Sequence, residues 1–366
     1  MMRKIILKNS PYHELENVDV IKQNGKSFVK FSDGTLTRIV LEKDCDIFLS
    51  KVGFDHGSIL KYSKLKEDDY YLLNEFNDFH ISKNVKQIDT TTMFTMNDDV
   101  EFVSFWYNRD GSKFLPQFQK NCLKSFIKHG HKLTLFSYNK LVDVPEGVEL
   151  IDANEIIDFS EFYINVNSDS VANFSDVFRI KLLYKLRDRN VVWTDADNIC
   201  LSNKLFSKDY WFFSENNRII NGCLKFGSRF RHVIEKLNDL VDNPTKSFEW
   251  DNDVLSNWKS HLKNFKTVKE QRINAPWKFF GSELYTNVGK HFGFDKDPID
   301  FRTFANPIHY TELFQTYVFE NTGALNRYLK NIPILMMSND LLRREPWILR
   351  NFREDSFMAD LMKSFE

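Results

Sequence analysis

Apolar and polar positions follow two different patterns along the chain. In the first part, short alternating runs at Val18 to Ile21, Ser27 to Phe31 and Thr35 to Leu41 are separated by Asn24-Gly25 and Asp33-Gly34. Such pairs supply the positive φ angles of tight hairpins, so this pattern predicts a small β-meander. The polar stretches Lys66-Glu67-Asp68-Asp69 and Asp89-Thr90-Thr91-Thr92 read as linker, which places a boundary near residue 97. From Glu101 onward short apolar runs alternate with longer helical patterns, the signature of an α/β sheet with helices on its faces. Predicted strands are Phe102 to Trp106, Lys132 to Phe136, Val148 to Ile151, a run beginning at Val191, and Tyr210 to Phe213. Predicted helices are Phe114 to Lys128 (ended by His129-Gly130), Asn154 to Phe159, Val177 to Leu186 and Phe230 to Leu240, the one before Val191 expected to be amphipathic. The chain therefore divides into a β-rich segment 1–97, an α/β domain 98–335 and a C-terminal helical segment 336–366.

That last segment mixes Arg343, Arg344, Arg350 and Arg353 with Trp347, Ile348, Leu349, Phe352 and Phe357. A helix of this kind can lie on an anionic membrane surface, although packing its apolar face on its own domain is the commoner arrangement. Hydrophobic residues make up 42% of the 366 positions, enough for a sizeable core. The 50 basic and 51 acidic side chains nearly cancel, which argues against a nucleic-acid partner. Cys45, Cys122, Cys200 and Cys223 are widely spaced and form no Cys-x-x-Cys pair, so free thiols are expected rather than a zinc site or disulfides. The Ile5-Ile6-Leu7 run is too short for a signal peptide, and no apolar stretch is long enough to span a bilayer. The expected location is the cytoplasm, free or peripheral to the inner face of a membrane.

The candidate chemistry sits at Asp195-Ala196-Asp197, directly after the apolar run Val191-Val192-Trp193-Thr194. A strand end lets two carboxylates project into one cleft, where they must repel, protonate or be neutralised by a cation. Oxygen-rich sites of this kind suit Mg²⁺ or Mn²⁺. An ordinary solvated turn is the alternative, since Asp is common in turns.

Three blocks stand out. One runs from Ser125-Phe126-Ile127-Lys128-His129-Gly130-His131 through Leu133 to Tyr138, Val144 to Val148 and Asp152 to Ile157. Another is Phe174-Ser175-Asp176-Val177-Phe178-Arg179, then Leu182-Leu183-Tyr184, ending in Trp193-Thr194-Asp195-Ala196-Asp197. A weaker third is Gly281-Ser282-Glu283-Leu284-Tyr285-Thr286. Together these blocks resemble the DXD-containing glycosyltransferases with a GT-A fold, a family that includes yeast mannosyltransferases, α-1,4-galactosyltransferases, bacterial polysaccharide enzymes and the glucosylating clostridial toxins. The resemblance implies a GT-A-type nucleotide-sugar-binding domain with a mixed central sheet flanked by helices, here preceded by the β-rich segment. It implies a metal-dependent, retaining hexosyltransferase that uses Mn²⁺ or Mg²⁺ and a nucleotide-sugar donor, a UDP-sugar foremost. The implied acceptor is a glycan, a growing polysaccharide or a lipid-linked glycan.

By resemblance Asp197 is the residue most directly on the metal, and Asp195 faces the nucleotide ribose and the metal shell. Asp176 and Arg179 resemble the pair on the donor sugar and its phosphates; three residues apart on a helix, they share one face. Trp106 or Tyr107 would wall the base, and Asn221 resembles a position near the acceptor. In the family a late histidine completes the metal shell. Here Thr322-Gly323-Ala324-Leu325-Asn326 stands in that place and Asn326 is the candidate, the nearest histidine being His309. A non-catalytic GT-A-fold protein that binds glycans is a second reading. A haloacid-dehalogenase-like phosphatase with Asp195 as nucleophile is a third, but that motif wants Thr where Ile199 stands.

Overall fold

A computed structural model describes the backbone of the strands between residues 3 and 73 and residues 93–96, 99–306, 329, 332–337 and 354–363; side chains are described from residue 93, except 302 and 303. The chain forms two compact units. One gathers Met1–Val85, Pro307–Leu329 and Asn339–Glu366, and the other Lys86–Asn306 with Lys330–Ser338.

In the first unit, β1 (Arg3–Leu7), β2 (Leu15–Gln23), β3 (Lys26–Lys30), β4 (Leu36–Leu41), β5 (Asp46–Lys51), β6 (Ile59–Lys64) and β7 (Tyr71–Leu73) pair in chain order. Each is antiparallel to the next, and β7 lies parallel to β1, which closes the sheet into a barrel and leaves no open edge. The expected turns Asn24-Gly25 and Asp33-Gly34 and both linker stretches lie outside the described residues.

The second unit contains β8 (Phe94–Met96), β9 (Glu101–Phe105), β10 (Lys132–Ser137), β11 (Val148–Asp152), β12 (Val191–Thr194), β13 (Asn198–Cys200), β14 (Lys204–Phe206), β15 (Trp211–Glu215), β16 (Arg218–Lys225), β17 (Ile299–Asp300) and β18 (Ile334–Met336). Seven of these form a mixed sheet in the order β11-β10-β9-β12-β16-β15-β17. Neighbours from β11 to β12 are parallel, and β16 then runs antiparallel to both β12 and β15. The architecture is thus mixed α/β. Every residue of β12 is buried, as are all but the first of β9, which is why these strands read as continuous apolar runs rather than alternating ones.

Two apolar clusters lie on the two faces of the sheet. Val191 and Trp193 point into one with Phe105 and Phe178, and Val192 points into the other with Phe102 and Phe126. Helix α1 (Gln117–Lys128) starts later than the Phe114 expected, because Pro116 occupies the N-cap and disfavours helical backbone at Leu115 before it. Gly130 closes its far end at φ +80°. The helix expected at Asn154 to Phe159 is instead two short 3₁₀ turns, Ala153–Glu155 and Phe159–Glu161. The Asp152 and Asp158 side chains each accept from a backbone N–H two residues on, which favours separate turns over a continuous helix.

Helix α2 (Ala172–Lys185) begins five residues before the start expected at Val177. It also departs from the amphipathic pattern. Packed against β9, β12 and the next helix, α3 (Arg231–Asp242), it buries Asn173, Asp176 and Arg179 as well as its apolar residues. Further on lie α4 (Asp253–Leu262), α5 (Val268–Asn274), α6 (Ser282–Phe292) and α7 (Phe301–Phe304). Within the C-terminal segment, α8 (Phe357–Lys363) buries Phe357, Met358, Ala359 and Leu361. Arg343, Arg344, Trp347, Ile348, Leu349, Arg350, Phe352 and Arg353 lie outside the described residues. Among the described residues no helix is long and apolar enough to cross a membrane. Cys122, Cys200 and Cys223 are free and buried, and Cys45 lies outside the described residues.

Candidate functional site

The parallel strands β9 and β12 end side by side, with Trp193 opposite Val103. Their carboxyl ends open onto the crevice in which open α/β sheets usually hold ligands. Asp195 follows β12 directly, and its backbone N–H donates to the Gly222 carbonyl of β16 at 2.8 Å. Asn198 tightens the turn beyond it, its amide donating to the Gly222 carbonyl at 2.8 Å and to Thr194 Oγ1 at 3.0 Å. These bonds fix where Asp195 projects.

Arg179 reaches this point from α2. Its Nη1 donates to Asp176 Oδ1 at 2.8 Å and its Nη2 to Asp195 Oδ1 at 2.9 Å, so one guanidinium bridges two carboxylates from different elements. Two further donors hold the same oxygens: Asn221 Nδ2 on Asp176 Oδ1 at 2.8 Å and Trp193 Nε1 on Asp195 Oδ1 at 2.7 Å. The Trp193 ring also lies beneath the guanidinium, with Arg179 Cζ 4.7 Å from its centroid. Arg179 is 4% exposed and Asp176 11%, whereas Asp195 keeps 36% of its side-chain surface open. The cluster thus has a buried floor and one accessible carboxylate.

Helix α6 closes the other side. Gly281, at its N-cap, lets the backbone approach so closely that a Cβ there would stand 2.9 Å from Asp176 Oδ2. A Cβ on Gly222 would stand 3.2 Å from Asp195 Oδ2. One turn into α6, the buried Tyr285 hydroxyl lies by the Arg179 guanidinium, and among the described residues neither it nor Arg179 Nε makes a hydrogen bond of good geometry. Burial raises the Tyr285 hydroxyl above its ordinary range; the Arg179 charge opposes this, while Asp176 and Asp195 add to it.

Two carboxylates against one guanidinium leave the cluster short of positive charge. Burial pushes Asp176 up to about 6, against the opposing pull of Arg179 and with further help from Asp195. Asp195 is likewise raised by burial, opposed by Arg179 and Trp193. A cation arriving beside these groups would relieve what burial costs them.

The sequence-derived candidates divide accordingly. Asp176, Arg179, Asp195 and Asn221 meet in one bonded cluster. Asp197 is buried just beyond it, and its charge adds to the burial that raises the Cys122 thiol on α1. Trp106 and Tyr107 follow β9 at the same end of the sheet as Asp195 but take no part in these bonds. The Trp106 ring N–H donates to Asn108 Oδ1 at 2.7 Å, and Tyr107 packs among Phe162, Tyr138 and Phe159. Asn326 and His309 lie outside the described residues. Trp193, Gly222, Gly281 and Tyr285 are site residues to which the sequence assigned no role, although Trp193, Gly281 and Tyr285 fall inside the resemblance blocks. For Trp193 the signal was its place two residues before Asp195, on the same face of the strand. Among the described residues no three His, Cys, Asp or Glu side chains gather into a group that would hold a metal. The chain matches no protein-family model and no curated protein.

Proposed function

We propose that this chain is a metal-dependent, retaining glycosyltransferase. It would move a hexose from a nucleotide sugar, UDP-linked foremost, to a glycan, polysaccharide or lipid-linked acceptor. The observation that carries the reading is the Arg179 guanidinium clamped between Asp176 and Asp195 at the carboxyl end of a mixed sheet. Such a fixed guanidinium offers charge-assisted hydrogen bonds to diphosphate oxygens without first having to be ordered. Asp176, held by Asn221 beside Gly281, would accept from donor-sugar hydroxyls. Trp106 and Tyr107, at the end of β9, would wall the base. The mixed sheet supports a GT-A-type domain in the second unit.

The donor set suits a hard divalent ion. Asp195 Oδ2 has no hydrogen-bond donor among the described residues, and Asp197 supplies a second carboxylate two positions on. Mg²⁺-type sites characteristically use one or two carboxylates and complete their shell with substrate phosphates and water. Bound there, Mn²⁺ or Mg²⁺ would supply Lewis-acid stabilisation of the leaving diphosphate. The chain's own part is to hold the diphosphate with Arg179 and to orient the sugar with Asp176.

A screen of UDP- and GDP-sugars for Mn²⁺-dependent hydrolysis tests the proposal. Turnover with at least one donor, lost in Asp197→Ala, is expected. Hydrolysis of a generic aryl phosphate that fails in Asp195→Asn would instead point to a phosphatase.

A further inference from the structure

The opposite end of the same sheet carries a second cavity. Asp195 and Gly222 mark the donor end of β12 and β16; this cavity opens where β12 begins and β16 ends. It encloses about 280 Å³, and its walls include Lys225, Arg187, Arg189, Arg231, Asp188 and Asp209. Each of the three arginines meets a carboxylate there, whereas Lys225 has only the field of Asp209.

Lys225 is the member that calls for explanation. It is only 5% exposed, and no carboxylate, carbonyl or hydroxyl among the described residues accepts a hydrogen bond from its ammonium. What it has is the face of Trp211, 5.6 Å from the ring centroid, and the field of Asp209. Asp209 is itself engaged, its Oδ2 accepting from Ser228 N at 2.8 Å and Ser228 Oγ at 2.9 Å at the approach to α3. The side chain is buried along its length while its ammonium reaches the cavity without a protein acceptor among the described residues, which places it to meet an anion there. Around this buried group the three arginines are open to solvent. Arg187 pairs with Glu235, Arg189 with Glu101 and Arg231 with Asp188, at 32%, 56% and 46% exposure of the arginine side chains. Exposed pairs of this kind are weak, so a stronger anion can compete for Arg189 and Arg231; Arg187 is also held by Tyr184, donating to its carbonyl at 2.9 Å and lying over its ring.

We propose that this cavity binds a small phosphate-bearing molecule, with Lys225 beneath the phosphate and Arg189 and Arg231 closing over it. Phosphate fits better than a single carboxylate because it offers several oxygens to converging donors and, at a charge near −2, competes with the carboxylates that the arginines now meet. The site is independent of the Asp195 cluster and stands whether or not that cluster takes a nucleotide sugar.

The test is calorimetric titration of the full chain, at constant ionic strength, with inorganic phosphate and in parallel with glucose 1-phosphate. Saturable binding of either is expected, retained in Asp195→Asn and weakened by about tenfold or more in Lys225→Met. Arg231→Gln, at an exposed position, should fold normally and bind several-fold more weakly. Three results would each overturn the proposal. One is no saturable binding of either anion. Another is binding lost in Asp195→Asn but kept in Lys225→Met. The last is binding undiminished in Arg231→Gln.

Discussion

Asp176→Asn should make the protein more stable at neutral pH, although it removes a partner of a buried arginine. The amide keeps the shape of the carboxyl, and its oxygen can still accept from Arg179 Nη1 and Asn221 Nδ2, which both meet Asp176 Oδ1. What changes is the charge. Burial raises Asp176 from its ordinary 3.8 to about 6. A carboxyl with a raised folded pKa contributes its full stability below its unfolded pKa and loses it as pH rises through the folded one. The wild type should therefore lose stability between about pH 4 and pH 6 through this group, and stay at the lower level above that. A displacement of about 2 pH units corresponds to about 3 kcal/mol, an order-of-magnitude figure for a carboxyl in a charged cluster. Asn in its place carries no such loss. Urea unfolding of both proteins from pH 4 to pH 8 reads the difference. The two should be nearly equal at pH 4, with the variant ahead by a few kcal/mol at pH 8. Asp195 titrates in both proteins but feels the Asp176 charge, so the difference reports the pair, with Asp176 as its altered member. A pH-independent difference, or a wild type more stable at pH 8, would refute the reasoning.

Further outcomes follow from the same cluster. Arg179→Ala leaves the buried Asp176 and the half-buried Asp195 without their shared cation and should cost about 3–5 kcal/mol at pH 7. That loss should shrink in acid as the carboxylates protonate, and urea unfolding at pH 7 and pH 4.5 measures both. Arg179→Lys keeps the charge but cannot fork between Asp176 and Asp195, so about 1–2 kcal/mol of destabilisation should remain. Gly281→Ala is compatible with the local φ of −102° but sets a Cβ 2.9 Å from Asp176 Oδ2. The carboxylate must move, at a cost of about 1–3 kcal/mol in thermal unfolding; Gly222→Ala, with 3.2 Å to Asp195 Oδ2, should cost less.

Much of the α/β unit was legible because its central strands are buried on both faces. The runs at Phe102, Leu133 and Val191 carry no alternation to misread, and the acidic pair falls immediately after the last of them. Helix α2 was harder. Its first five residues include Asn173, Ser175 and Asp176, which look like a polar approach to a helix starting at Val177. In the structure Asn173 accepts from the Tyr163 hydroxyl, and Asp176 and Arg179 face inward to form the cluster. A helix that spends its inner face on a polar site loses the periodicity by which its start would be recognised. The start of α6 stands in the weak third resemblance block, but its place at the site was hidden for a different reason. Gly281 and Tyr285 lie about a hundred residues beyond Arg179, and only the packing of α6 against β16 brings them to it. The basic cavity at the other end was equally invisible, since Arg187, Lys225 and Arg231 come from three separate elements and match no spacing.

The central claim is that the Asp176, Arg179 and Asp195 cluster, with Asp197 beside it, holds a nucleotide-sugar donor. Isothermal titration of the wild-type chain with a panel of UDP- and GDP-sugars, with and without Mn²⁺, tests it most directly. The expected result is Mn²⁺-dependent binding of at least one donor, abolished in Asp197→Ala and in Asp195→Asn. Absence of donor binding across the panel, or binding unchanged in both variants, would contradict it.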